Sequence, residues 1–169
     1  MHAPAWHIAE LNVGRAVAPL ASPPLAEFMA ALQGINALAD RSPGFVWRLQ
    51  SASGNATDIR VGADDRFIVN MSVWQSVEAL FEFVYRSAHN KVMVRRREWF
   101  EQPKAAYQVL WWVPAGHIPS VEEAMARLDH LRAHGPTAYA FTFKERYPMP
   151  GLPGVPEDMK PEPYCVGWA

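Results

Sequence analysis

The sequence predicts a single α+β domain with the split β-α-β-β-α-β order of ferredoxin-like sheets. Three observations predict it. Strand-forming and helix-periodic segments alternate in that order. The third strand is apolar on both faces, so both must be covered. The 169 residues, half apolar and a fifth charged, suit one core.

Residues 6–13 (WHIAELNV) are rich in strand formers and run into Gly14, giving the first strand. Ser22 before Pro23 suits a helix start, a capping hydroxyl and then a ring that needs no amide partner. Leu25, Phe28, Met29, Leu32, Ile35 and Ala39 follow at helical spacing until Pro43 and Gly44. Residues 45–50 (FVWRLQ) form the second strand and 51–65 a polar hairpin loop. In the third strand, 66–74 (RFIVNMSVW), Phe67, Val69, Met71 and Val73 point one way, and Ile68, Asn70, Ser72 and Trp74 the other.

Ser76 caps a helix whose stripe is Val77, Leu80, Phe81, Val84 and Tyr85. The pattern breaks over 87–90 and resumes with Val92, Met93, Trp99 and Phe100, predicting a kink or two consecutive helices closed by Pro103. Residues 107–113 (YQVLWWV) form the fourth strand. Ser120 and Glu123 make a capping box for an added helix that buries Val121, Ala124, Met125, Leu128 and Leu131 and stops at Gly135. Residues 138–143 suit a short fifth strand. Domain and arm divide at 147: residues 1–147 form the domain, and 148–169, with six prolines by residue 163, form an extended arm.

Two helices cover one face of such a sheet. A second copy packed about a two-fold axis is the economical cover for the other, and the Pro-rich arm is the competing one. A homodimer is therefore expected. A net charge of −1 argues against a nucleic-acid binder. No apolar run approaches the roughly 18 residues of a membrane span, and residues 1–9 lack a secretory pattern, so a cytoplasmic location is expected. Cys165 is alone, which excludes an internal disulfide and a thiolate metal cluster.

The segment NMSVWQSVEALFEFVYRSAH resembles the antibiotic-biosynthesis monooxygenase-like superfamily of dimeric α/β barrels. HIAELNVGR, INALADRSPGFVWRLQ, RREWF and LWWVPAGHIPSVEEA are similar, more closely, to the domain-of-unknown-function family 3291. This resemblance implies the fold above and no agreed activity. The wider superfamily implies two chemistries. In its cofactor-free monooxygenases an Asn, a Trp four residues later and an Arg activate the substrate; Asn70 and Trp74 have that spacing, with Arg48 or Arg96 as the Arg. In its haem-degrading members an Asn, a Trp and a helical His form the site, with Asn12, Trp74 and His89 as counterparts.

The residues themselves leave alternatives open. Asn70, polar on an apolar strand, either orients a substrate oxygen or makes a structural hydrogen bond. Trp74 is a pocket wall or core. His89, at the helix irregularity, is a general base or a helix-end cap. Arg95, Arg96 and Arg97 fan over roughly 200°, so they cannot all face one ligand. His7, His89 and His117 form no HxH or HxxxH pair, so no metal site is expected. The candidate catalytic residues are Asn70, Trp74 and His89; the candidate substrate-binding residues are Asn12, Trp47, Arg48, Arg96 and Trp99. The leading expectation is a monooxygenase-like enzyme that oxidises a small aromatic or apolar molecule without a cofactor. A non-catalytic ligand-binding or interaction domain and a haem-binding protein are the alternatives.

Overall fold

The computed structural model describes residues 6–151. Strand β1 (Trp6–Arg15) leads through a 3-10 turn (Pro23–Leu25) into helix α1 (Ala26–Arg41), then β2 (Phe45–Arg48) and β3 (Phe67–Trp74). Helices α2 (Val77–Arg86), α3 (His89–Val94) and α4 (Arg96–Trp99) follow in succession, then β4 (Gln108–Pro114) and α5 (Val121–His134). The strands form one antiparallel sheet in the order β2-β3-β1-β4, the ferredoxin-like arrangement.

Several local expectations hold for physical reasons. The Ser76 hydroxyl accepts from the Ala79 amide and caps α2. Ser87 breaks the following helix; its hydroxyl turns back on the Phe83 carbonyl and α3 restarts at His89. Gly135 ends α5 at φ 75°, a left-handed conformation that suits glycine.

Others differ. Ser22 does not cap α1: its hydroxyl bonds the Pro19 carbonyl, and the 3-10 turn intervenes. The box at α5 is half made. Ser120 accepts from the Glu123 amide, but the Glu123 carboxylate goes to Trp111 and His117. The proposed fifth strand reduces to isolated bridges, Leu110 with Phe141 and Thr137 with Ala140. Most of the Pro-rich arm lies outside the described residues.

The sheet has two unlike faces. On one, Ala9, Leu11, Val13, Val69, Met71, Val73, Val109, Trp111 and Val113 are all buried, and Ala124, Leu128 and Leu131 of α5 pack among them. These three sit at i, i+4 and i+7, one stripe of a helix. At about 25 cal/mol per Å² of apolar surface, each Leu so buried contributes roughly 1.5–3 kcal/mol. In this chain the added helix packs on that face, together with Leu49, Ile59 and Val61 of the 49–66 connection. Helices α1–α4 cover the other face, where Ile8, Trp74 and Leu110 meet Ala39, Val77, Leu80 and Val84.

Candidate functional site

The second face is not apolar throughout. Between Ile8 and Gly14 it carries Glu10 and Asn12. The register sets Glu10 opposite Ser72 and Leu110, and Asn12 opposite Asn70 and Gln108. A patch of five polar side chains thus occupies the middle of a sheet that helices must cover. Burying it against apolar side chains would strand hydrogen-bonding groups. The chain leaves a cavity of about 180 Å³ there. Its floor is the polar patch. Its walls are Phe28, Leu32 and Ile35 of α1, Phe83 and Val84 of α2, Val92 and Met93 of α3, and the rings of Trp99, Phe100 and Tyr107. Ala56 and Thr57 of the 49–66 connection line it too; Asn36 donates to Asn55 at 2.8 Å and ties this loop to α1.

Glu10 dominates the floor. It is 3% exposed. Its Oε1 accepts from Asn12 Nδ2 at 2.9 Å and Gln108 Nε2 at 3.0 Å. Burial pushes its carboxyl from 4.5 up to about 7, against the opposing pull of the bonds from Asn12, Gln108 and Ser72. A carboxyl poised there exchanges a proton readily at neutral pH, as a general base must. Tyr85, beside Tyr107 and Glu10, is pushed up to about 12 chiefly by burial, so its phenol stays protonated and can donate.

Asn70 lies on the cavity floor, its side chain accessible from the cavity, with no hydrogen bond to any described residue. His89 lines the wall; its Nδ1 donates to the Val84 carbonyl at 3.1 Å, which leaves the Nε2 lone pair as acceptor. Burial lowers its pKa, so the ring is neutral at neutral pH. Arg96 also lines the cavity. Its Nη2 donates to the Val13 carbonyl at 2.8 Å, and its guanidinium lies over Phe100 and Tyr107, 4.9 and 4.5 Å from the ring centroids. Asn12 and Trp99 are at the cavity as well.

Three sequence candidates are elsewhere. Trp74 is fully buried, edge-on to Phe45 and stacked on Phe83, and Phe83 supplies the wall in its place. Its Nε1 donates to Ser72 Oγ at 2.9 Å, and Ser72 stands opposite Glu10 in the β1–β3 register, so Trp74 bears on the site only through Ser72. Trp47 pairs with Val73 and packs on the α5 face. Arg48 faces Asp40 at 2.8 Å and the Gly54 carbonyl at 2.7 Å, so its charge is spent locally.

Glu10, Gln108, Tyr85 and Tyr107 are the residues that sequence reasoning missed. The signal was present: Ala-Glu-Leu-Asn at 9–12 alternates apolar and polar on a buried strand. Only the register shows that Glu10 and Asn12 share a face with Asn70.

Among the described residues no group of three or more His, Cys, Asp or Glu side chains could hold a metal ion. His130 and His134 do stand four apart on α5, rings 4.5 Å apart, but away from the cavity. An apolar cavity of about 150 Å³ holds benzene, so 180 Å³ suits a ligand of one or two rings. Nor is any helix among the described residues long and apolar enough to cross a membrane.

The family model described as domain of unknown function DUF3291 matches residues 7–155. The chain has no match among curated proteins. Among solved structures it is similar to SnoaB, a cofactor-independent oxygenase from Streptomyces nogalater, at 18% identity and TM-score 0.45, over 69% of this chain and 97% of that one. It is similar to a conserved protein from Methanosarcina mazei at 11% identity and TM-score 0.43, over 65% and 93%. It is also similar to Rv0793 from Mycobacterium tuberculosis at 15% identity and TM-score 0.42, over 68% and 99%.

Proposed function

We propose that this chain, which belongs to the DUF3291 family, is a small-molecule enzyme of monooxygenase type that deprotonates a flat, electron-rich substrate and lets dioxygen oxidise the anion. The observation that carries this reading is Glu10, a buried carboxyl with a pKa of about 7 on the polar floor of an apolar-walled cavity. Glu10 takes the proton from an activated CH₂ or from its enol form. Asn70, whose amide bonds no described residue, holds the substrate oxygen, and Tyr85 donates to charge that develops nearby. The carbanion gives its electrons to dioxygen; one oxygen atom becomes the new carbonyl and the other leaves as water, so CH₂ + O₂ gives C=O + H₂O. The cavity volume favours one- or two-ring substrates.

The test is oxygen uptake with 1-naphthol, whose keto form carries a CH₂ and whose product, 1,4-naphthoquinone, is followed by absorbance. Related one- and two-ring phenols complete the panel. Uptake above background that disappears in Glu10→Gln supports the reading. Solvent deuterium exchange into the substrate without oxygen isolates the proton step. Neither uptake nor exchange across the panel would leave a non-catalytic ligand-binding domain as the better account.

A further inference from the structure

Arg96 has a cation's position without a cation's partner. Its neighbours in sequence show the contrast. Arg95 is paired with Glu27 and Glu98 and lies over Trp99, out at the surface. Arg96 turns inward, where it is the one Arg or Lys among the described residues lining the cavity, and no described carboxylate lies within 4 Å of it. One Nη2 proton is used on the Val13 carbonyl. The rest of the fork, with five N–H donors in all, has no described acceptor. Burial lowers the pKa of this guanidinium, with Tyr107 opposing the shift only in part.

The site is held open for it by Gly14. A Cβ on that residue would come within 2.9 Å of both Arg96 Nη2 and Phe100 Cδ1. The rings of Phe100 and Tyr107 fix the plane of the guanidinium, which is how Arg is preorganised for a planar, bidentate partner. Glu10 and Gly14 share one face of β1, their Cα atoms about 13 Å apart at 3.3–3.4 Å per residue, with Asn12 between them. The cavity therefore has an acid–base group towards one end and, towards the other, a cation with no described carboxylate partner; apolar walls stand over the polar floor between them.

We infer that Arg96 is an anchor for a carboxylate, and that the ligand of this cavity is a small aromatic acid whose reactive edge faces Glu10. The inference deepens the proposed function and rests on the same cavity. A single guanidinium matches one planar negative charge. A phosphate dianion is disfavoured, since no second cation is described at the cavity and a carboxylate that ionises near neutrality lies at its other end.

The experiment uses the full chain and a matched pair of probes, 1-naphthoate and 1-naphthamide, titrated by calorimetry at pH 8. The pair differs in charge and hardly in shape. Wild type should bind the carboxylate at least tenfold more tightly. Arg96→Gln should remove that preference while still binding the amide, which also shows that its cavity is intact. Arg96→Lys should restore part of it. Glu10→Gln should keep or strengthen carboxylate binding, since it removes a like charge. Equal affinity of wild type for the two probes, or failure of both to bind, overturns the inference; if Arg96→Gln does not fold, the wild-type comparison decides alone. The two proposals separate cleanly. Carboxylate preference without oxygen uptake sinks the reaction and leaves the anchor. Uptake without carboxylate preference does the reverse.

Discussion

Replacing Glu10 by Gln should make the protein more stable and inactive at once, and the gain should depend on pH in a calculable way. In the folded chain this carboxyl ionises at about 7 in place of 4.5. Below about pH 4.5 both folded and unfolded chains keep the proton and nothing is lost. As pH rises the unfolded chain ionises first, and folding loses stability until the folded carboxyl also ionises near 7; above that the loss is constant. At 1.36 kcal/mol per pH unit the full loss is about 3 kcal/mol, of which about 1 kcal/mol is present at pH 5. Gln keeps an oxygen that can accept from Asn12 and Gln108 and has no charge to bury. The stability gap between Glu10→Gln and wild type should therefore widen by about 2 kcal/mol between pH 5 and pH 8. Urea unfolding followed by tryptophan fluorescence at half-unit pH steps measures it. A gap that stays level across that range would show that Glu10 is not a displaced carboxyl, and the base assigned to the reaction would go with it. In turnover assays the same group should give wild type a kcat/KM that climbs with pH through a midpoint near 7.

Three further changes probe the rest of the molecule. Asn70→Ala should change urea stability by less than about 0.5 kcal/mol, because its amide bonds no described residue, yet lower turnover at least tenfold; equal losses of both would mark it as structural. Gly44 sits at φ 79° with its absent Cβ 2.6 Å from Ala79 Cβ. Gly44→Ala should cost about 2 kcal/mol or more in the same unfolding assay, and a neutral result would mean that the turn into β2 gives way easily. Leu128→Ala, which empties a fully buried place under α5, should cost about 2–5 kcal/mol; a cost below 1 kcal/mol would mean that α5 does not hold that face.

The architecture was legible because periodicity is local. The alternation in β3 separated its two faces, and Ser76 and Ser120 marked helix starts that their hydroxyls do cap. That α5 packs on the face of Ala9, Leu11 and Val13 was not legible, for a non-local reason. The stripe Ala124, Leu128, Leu131 announces that α5 buries something, but only the tertiary fold says what. Trp74 illustrates the opposite limit: its spacing from Asn70 puts both on one face, yet that face is part cavity and part packed core, and Trp74 falls under α2 against Phe83. Glu10 was the most informative residue and the easiest to pass over. A charge inside a strand reads as an edge or a solvent face until β1 is known to be central, flanked by β3 and β4. The loop 51–65 was read as polar connection; its contribution of Ala56 and Thr57 to the cavity depends on the Asn36–Asn55 clasp, which no pattern in the chain foretells.

Helix α5 has a meaning beyond packing. A sheet with nine buried apolar side chains on one face is self-adhesive, and here the adhesive is sealed by a segment joined to it through a short tether after β4. Because the seal is intramolecular, its effective concentration does not fall on dilution. Cut the chain after β4 and the same surface becomes an apolar patch of the kind that drives proteins together. Whether that patch is exposed then depends on one fourteen-residue helix staying docked.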